Sequence, residues 1–338
     1  MRFLLLPFSW IYTLAIYIRN SLYDCGALKS NPVKNSIGIG NLSMGGTGKT
    51  PLTIYLAQWL IDLNQMVFIL SRGYKRNTDG YIEVQYSHQS DEVGDEPLMY
   101  KKRFKDEVNV VVSKNRWFGS KQIKIKHPEA YLLFDDVFQH RKVKPDFSIL
   151  TSSFNDLFID DMLIPAGRLR EPKKNVKRGD CILITRCPHD LSDNRKKKIR
   201  EKLHKYNKPL FFCSIKYEGF ISFGRKINTI KKILLVTGIA NNQALISHLQ
   251  KSYEMDVISY PDHYSYTQKD MEEIHQKFGN FAGEESIILT TEKDMVRMLQ
   301  FEKFIEEKKM PLYYQPISID LHNEIEFKSL IKENVGEI

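Results

Sequence analysis

The sequence predicts an α/β protein: a P-loop NTPase-like parallel sheet domain, an apolar membrane helix before it and a second, smaller α/β domain after it. Three observations predict this. An apolar strand runs into a glycine-rich loop and then a helix at Ile37–Pro51, and strand-like apolar runs alternate with polar helical stretches along the chain. The N-terminus carries an uncharged run unlike anything later.

The loop reads Ser43-Met-Gly-Gly-Thr-Gly-Lys-Thr50. Gly45, Gly46 and Gly48 leave the backbone free of Cβ clashes, so that N–H groups converge on phosphate oxygens at a helix N-terminus. Lys49 is expected to reach the β- and γ-phosphates of ATP and Thr50 to ligate Mg²⁺. Ser43 stands where the general pattern has glycine. The context is nevertheless that of a phosphate loop: residues 34–40 lead in with Ile37 and Ile39, and residues 52–63 lead out with Leu52, Tyr55, Leu56, Trp59 and Leu60 at helical spacing.

From Phe3 to Ile18 sixteen residues pass without a charge. That is short of the roughly twenty a full span needs, and Pro7 disturbs its first turn. Trp10, Tyr12 and Tyr17 suit a headgroup zone, so a short span and a helix lying in one leaflet both fit. A cleaved signal peptide lacks its small-x-small site, and a helix buried on the core is the plain alternative.

Further strands are expected at Val67–Ser71, Val108–Val112, Ala130–Asp135, Phe147–Thr151, Cys181–Thr185 and Leu210–Ile215. Their continuous apolar character suits a parallel sheet covered on both faces. The basic segment 193–208 lacks interleaved aromatics and reads as a solvated helix face, so no nucleic-acid partner is expected. A Gly- and Phe-bearing connector at 216–226 divides the chain into a membrane helix (1–25), a P-loop domain (26–215) and a smaller domain (216–338). In the last, strands are expected at Ile233–Thr237, Val257–Tyr260 and Ser286–Thr290, with helices at 242–253 and 268–278.

The net charge of +9 over 338 residues favours acidic partners, phosphates and anionic membrane surfaces among them. Four scattered cysteines suggest neither a disulfide framework nor a zinc site.

Chemistry concentrates at strand ends. Asp135 and Asp136 follow an apolar strand and are expected to hold Mg²⁺, with Gln139 and His140 on the loop beyond. Gly94-Asp-Glu-Pro97 projects Asp95 and Glu96 from a helix start, and a plain helix cap is the rival reading. Two basic loops, Ser71–Arg76 and Pro165–Pro172, offer Arg72, Arg168 and Arg170, beside Glu171, as phosphate clamps. Tyr260–Tyr264 brings His263, and Thr290–Asp294 has its lysine one place too late to read guanine.

These blocks, in this order, resemble the tetraacyldisaccharide 4′-kinases of lipid A synthesis, from the first residues to at least Asp294. The resemblance implies transfer of the ATP γ-phosphate to the 4′-hydroxyl of a membrane-embedded tetraacyldisaccharide 1-phosphate at the cytoplasmic face of the inner membrane, with no obligate protein partner. It makes Lys49 and Thr50 the phosphate and metal groups, Asp95 the base, His263 its partner from the second domain, and Asp135 and Asp136 the strand-end acidic pair. Glu96, Gln139 and His140 then line the site, with Arg168, Arg170 and Glu171 as the arginine loop. The family places a small hydroxyl residue at position 43; Val137 departs from its commoner glycine. A membrane-attached ATPase switch is the alternative, but such proteins carry an early lysine where this chain has Met44. A GTP-using metallochaperone lacks both a guanine reader and a Cys/His cluster.

Overall fold

The computed structural model describes residues 2–281 and 283–336. Fourteen strands, among the described residues, form two sheets. The larger holds β1 (Asn31–Asn41), β2 (Val67–Ser71), β3 (Ile82–Glu83), β4 (Val108–Val112), β5 (Tyr131–Phe134), β6 (Val143–Ser153), β7 (Cys181–Cys187) and β8 (Leu210–Tyr217). The smaller holds β9 (Ile221–Ser222), β10 (Lys232–Thr237), β11 (Glu254–Ser259), β12 (Ser286–Thr291) and β13 (Leu312–Gln315); β14 (Ile317–Leu321) follows. The orders are β14-β8-β7-β6-β1-β5-β2-β4-β3 and β11-β10-β12-β13-β9. Interior pairs are parallel, and only the edge strands β14, β3 and β9 run antiparallel.

The P-loop strand β1 lies centrally between β5 and β6. Ile37 and Ile39 on it, and Leu52, Leu56 and Leu60 on the helix Lys49–Asp62, are completely buried, which anchors the loop between two rigid elements. The order reverses at β1, and ligands in open α/β sheets sit outside strand ends at such a point.

β8 lies in the larger sheet and β9 in the smaller, but the stretch after Pro316 does not stay with the smaller one. β14 pairs antiparallel with β8, and Phe327 and Ile331 of the helix Glu324–Lys332 pack into the larger core. The last segment of the chain is thus part of the larger sheet and its core. The free edge of β8 offers unpaired backbone groups, and Ile319 and Leu321 find their apolar partners there.

The N-terminal helix Leu6–Asp24 is docked by its polar side. Ser9 donates to the Leu163 carbonyl (3.1 Å) and accepts from the Ala166 N–H (3.0 Å), Tyr12 donates to the Arg170 carbonyl (2.8 Å), and Asn20 is buried. Phe8, Trp10, Ile11, Leu14, Tyr17 and Ile18 are 51–69% exposed, an apolar surface turned away from the protein. Among the described residues no helix is long and apolar enough to cross a membrane, which corrects the short-span reading. A burial-driven core helix is corrected too, because the apolar side is the one left outside.

Candidate active site

Gly48 caps the P-loop helix at φ +78°, and a Cβ there would meet Thr185 at 3.0 Å. Thr47 is pinned by its hydroxyl, which accepts from Asn41 Nδ2 (2.6 Å) and shares a hydrogen with Thr151 (2.9 Å), while its carbonyl accepts from Thr185 (2.9 Å). Ser43 is buried; Met44, Gly45 and Gly46 are exposed, and the Met44 N–H donates to the Arg168 carbonyl (2.7 Å). The loop is thus held at both ends and open at its crest.

At the end of β5, Asp136 takes φ +49° and presents its carboxylate to Arg170, at 2.8 and 3.1 Å, and to Lys49 Nζ at 3.6 Å. Burial opposes its charge, but Lys49 and Arg170 outweigh burial and hold it far below the usual carboxylate range. Asp135 points the other way. It is 2% exposed, accepts from Tyr100 (3.3 Å) and Ser71 (3.4 Å), and is pushed up to about 7 by burial, with Glu96 and Asp136 adding. Val137 covers Gly38, where a Cβ would come within 3.0 Å of its Cγ1, so the larger residue is accommodated by a glycine on β1.

The second acidic pair opens the helix Asp95–Phe104, capped by Gly94 at φ +94°. A Cβ on Gly94 would meet the backbone of Gly73 and Tyr74 at 3.1 Å, so this turn is pressed against the Ser71–Arg76 loop. No side chain caps the helix, which removes the plain capping reading. Asp95 Oδ2 lies 2.9 Å from His263 Nδ1 and 2.6 Å from Arg297 Nη2, both from the smaller sheet's side. Burial opposes the charge of Asp95, yet the hydrogen bonds from His263 and Arg297 outweigh it and bring the carboxyl down to about 2. Glu96 Oε1 accepts from Thr50 (3.3 Å) and Lys293 (3.3 Å). Helix Glu292–Met298, which carries Lys293 and Arg297, is further tied by Arg103 to Glu292 at 2.7 Å.

Not every expected residue faces this mouth. The Arg168 side chain is exposed and pairs with Asp156 (2.6 Å) and Asp161 (3.2 Å), so only its backbone serves the P-loop. Glu171 is fully buried under the N-terminal helix, bonded to Arg178 and Asn175 and 3.7 Å from Arg19, which makes it a structural anion. Gln139 donates to the Asn41 carbonyl (2.9 Å), supporting the strand beneath the loop. Arg72 is exposed; His140 is half-buried and held down to about 3 by burial and then by Arg116 and Arg72.

Sequence reasoning missed Asn41, Arg116, Arg186, Lys293 and Arg297. Arg116 is 1% exposed and donates to the Asp135 carbonyl (3.3 Å). Arg186 leaves φ normal for a strand, at +56°, and its Nη2 would lie 2.8 Å from a Cβ on Gly46. Lys293 and Arg297 sit at helical spacing behind Thr290-Thr-Glu, and only that motif hinted at them.

The residues present suit Mg²⁺. The donors around Thr50, Glu96 and Asp135 are hard oxygens, the ligand type a hard divalent ion takes. Among the described residues no group of three or more acidic, His or Cys side chains is arranged to hold a metal unaided.

Comparison with known proteins gives the same reading. A chain named tetraacyldisaccharide 4′-kinase from Flavobacterium psychrophilum is 39% identical over 345 residues, covering 98% of this chain and 96% of its own length. A second of that name, from Bacteroides thetaiotaomicron, is 39% identical over 341 residues, 94% of this chain and 88% of the other. The crystal structure of the "apo" form of LpxK from Aquifex aeolicus in complex with ATP superposes with a TM-score of 0.76 at 30% identity over 99% of both chains. The profile described as LpxK, tetraacyldisaccharide-1-P 4′-kinase, matches residues 1–336, and this chain belongs to that family.

Proposed function

We propose that this protein transfers the γ-phosphate of ATP to the 4′-hydroxyl of a tetraacyldisaccharide 1-phosphate, a lipid A precursor, at a membrane surface. The observation that carries the reading is the 2.9 Å pair of Asp95 from one unit with His263 from the other, next to a P-loop whose Lys49 lies 3.6 Å from Asp136. A P-loop switch needs no hydroxyl-activating carboxylate–imidazole pair.

Phosphoryl transfer through a loose transition state asks mainly for positioning and charge neutralisation. Lys49 and the P-loop amides would hold the phosphates, and Arg170 keeps Asp136 ionised beside Lys49. Thr50, Glu96 and Asp135 would hold Mg²⁺, which when bound would offset the charge developing on the transferred phosphate. Asp95 and His263 form the group that would take the acceptor proton. With Nδ1–H donating to Asp95, His263 is oriented as a carboxylate-held imidazole. The kinase unit comprises residues 26–215 together with the returning segment after Pro316, and the smaller sheet supplies the other wall. The N-terminal helix would lie in one leaflet on its exposed apolar side, at the cytoplasmic face of the inner membrane. Enzyme and lipid then meet in two dimensions, which raises their effective concentration.

Incubation of the purified protein with labelled ATP, Mg²⁺ and the disaccharide 1-phosphate lipid in detergent should give a bisphosphorylated lipid. Lys49→Ala should lower turnover by roughly a thousandfold or more. Label released only as inorganic phosphate, with none on the lipid, would refute the kinase reading.

A further inference from the structure

Lys293 ties together two groups that belong to different units. Its Nζ lies 3.3 Å from Glu96 Oε1 and 3.2 Å from His263 Nε2. The same Glu96 oxygen accepts the Thr50 hydroxyl at 3.3 Å. One carboxylate oxygen therefore faces the P-loop hydroxyl on one side and an ammonium on the other.

The placement is built by the fold. Thr291 caps the helix Glu292–Met298 by accepting from the Asp294 N–H (3.1 Å), Asp294 is completely buried, and Glu292 is fixed by Arg103. Lys293 is only 20% exposed, and its neighbours on both sides are locked. Its ammonium completes a hydrogen-bond chain in which Lys293 donates to His263 Nε2 and His263 Nδ1–H donates to Asp95. That chain fixes the imidazole in a single tautomer.

We propose that Lys293 is a built-in competitor of the divalent cation, holding on Glu96 the place the metal takes and engaging His263 Nε2 while it does so. The inference rests on the reading of Thr50 and Glu96 as metal-holding groups. A hard divalent ion bonds carboxylate oxygen at about 2.1 Å, so metal and ammonium on one oxygen would be like charges in near contact. Metal arriving on Glu96 displaces the ammonium, and displacement of the ammonium frees His263 Nε2. Lys293 is then a positioning residue that links metal loading on one unit to the imidazole of the other.

The test is titration of Mn²⁺, followed by its electron paramagnetic resonance signal, into the full chain with and without ADP. Wild type is compared with Lys293→Met, Lys293→Gln, Lys293→Arg and Glu96→Gln, each melted in EDTA to establish folding. With the competing charge removed, Lys293→Met should bind Mn²⁺ at least about tenfold more tightly, Lys293→Arg should stay within a few-fold of wild type, and Glu96→Gln should bind more weakly. Lys293→Gln answers the same question if the Met variant does not fold. A lysine that only braced the fold, away from the metal-holding oxygen, would leave Mn²⁺ affinity unchanged or lower it on substitution. Unchanged or weaker Mn²⁺ binding in the neutral variants, with Glu96→Gln weakened, overturns the role of Lys293 alone; unchanged binding in Glu96→Gln overturns the metal reading beneath it.

Discussion

The two acidic pairs, Asp135–Asp136 and Asp95–Glu96, are built alike and wired differently. In each, one carboxylate is clamped by an arginine, Arg170 for Asp136 and Arg297 for Asp95, and the other turns toward Thr50 or the buried hydroxyls near it. The first pair draws its side-chain partners, Ser71, Tyr100, Lys49 and Arg170, from the P-loop unit. The second draws His263, Lys293 and Arg297 from the far side of the cleft. So the strand-end pair is assembled within the P-loop unit alone, whereas the helix-start pair gains its partners only where the two units face each other.

That contrast can be broken most forcefully at Asp95. Asp95→Asn should lower kcat by roughly 10²–10⁴-fold with nucleotide affinity nearly kept, while Asp136→Asn should weaken nucleotide binding because Lys49 loses its partner. Losses from Asp95→Asn and His263→Ala should combine less than additively in steady-state kinetics; full additivity would separate the two groups.

A comparably large effect, on stability instead of rate, is expected at Glu171. Glu171→Gln strands Arg178 and Arg19 around a buried position and should cost about 3–5 kcal/mol in urea denaturation, with kcat per folded molecule retained. A variant that stays stable but loses turnover would return Glu171 to the substrate site.

The smallest effect expected is a pH dependence of Asp135 in EDTA. Its carboxyl, ordinarily near 3.8, is raised to about 7 by burial and then by Glu96 and Asp136. The fold therefore favours the protonated form: the stabilisation is complete below about pH 4 and is lost as pH rises through about 7. Asp135→Asn should melt within error of wild type at pH 4 and a few degrees above it at pH 8. Equal melting temperatures at both pH values would show that Asp135 carries no such coupling.

How much of this was legible in advance depended on the range of the interaction. The P-loop, the parallel strands and the strand-end aspartates are written as local patterns: glycines where a Cβ cannot fit, apolar runs of strand length, acidic residues directly after them. Even the pairing of Asp95 with His263 could be expected, though only through a family resemblance, since 168 positions separate them. The roles of Glu171, Arg168 and the Pro165–Pro172 loop could not be read, because an arginine-rich loop looks the same whether its charges meet phosphate or one another. Nor does a sequence reveal which side of an apolar helix faces inward: Ser9, Tyr12 and Asn20 find partners only on loops more than a hundred residues away.

The chain by itself determined the phosphate loop, most of the parallel strands and the apolar character of its N-terminus, because each arises from sterics and burial between near neighbours; β3, β9, β13 and β14 were not read from it. Tertiary structure alone decided that β14 returns to the larger sheet, that the N-terminal helix docks by its polar side, and that Lys293 and Arg297 reach the acidic pair across the cleft. Hydrogen bonds and ion pairs are selected by distance in space, and that distance is set only when both sheets have packed.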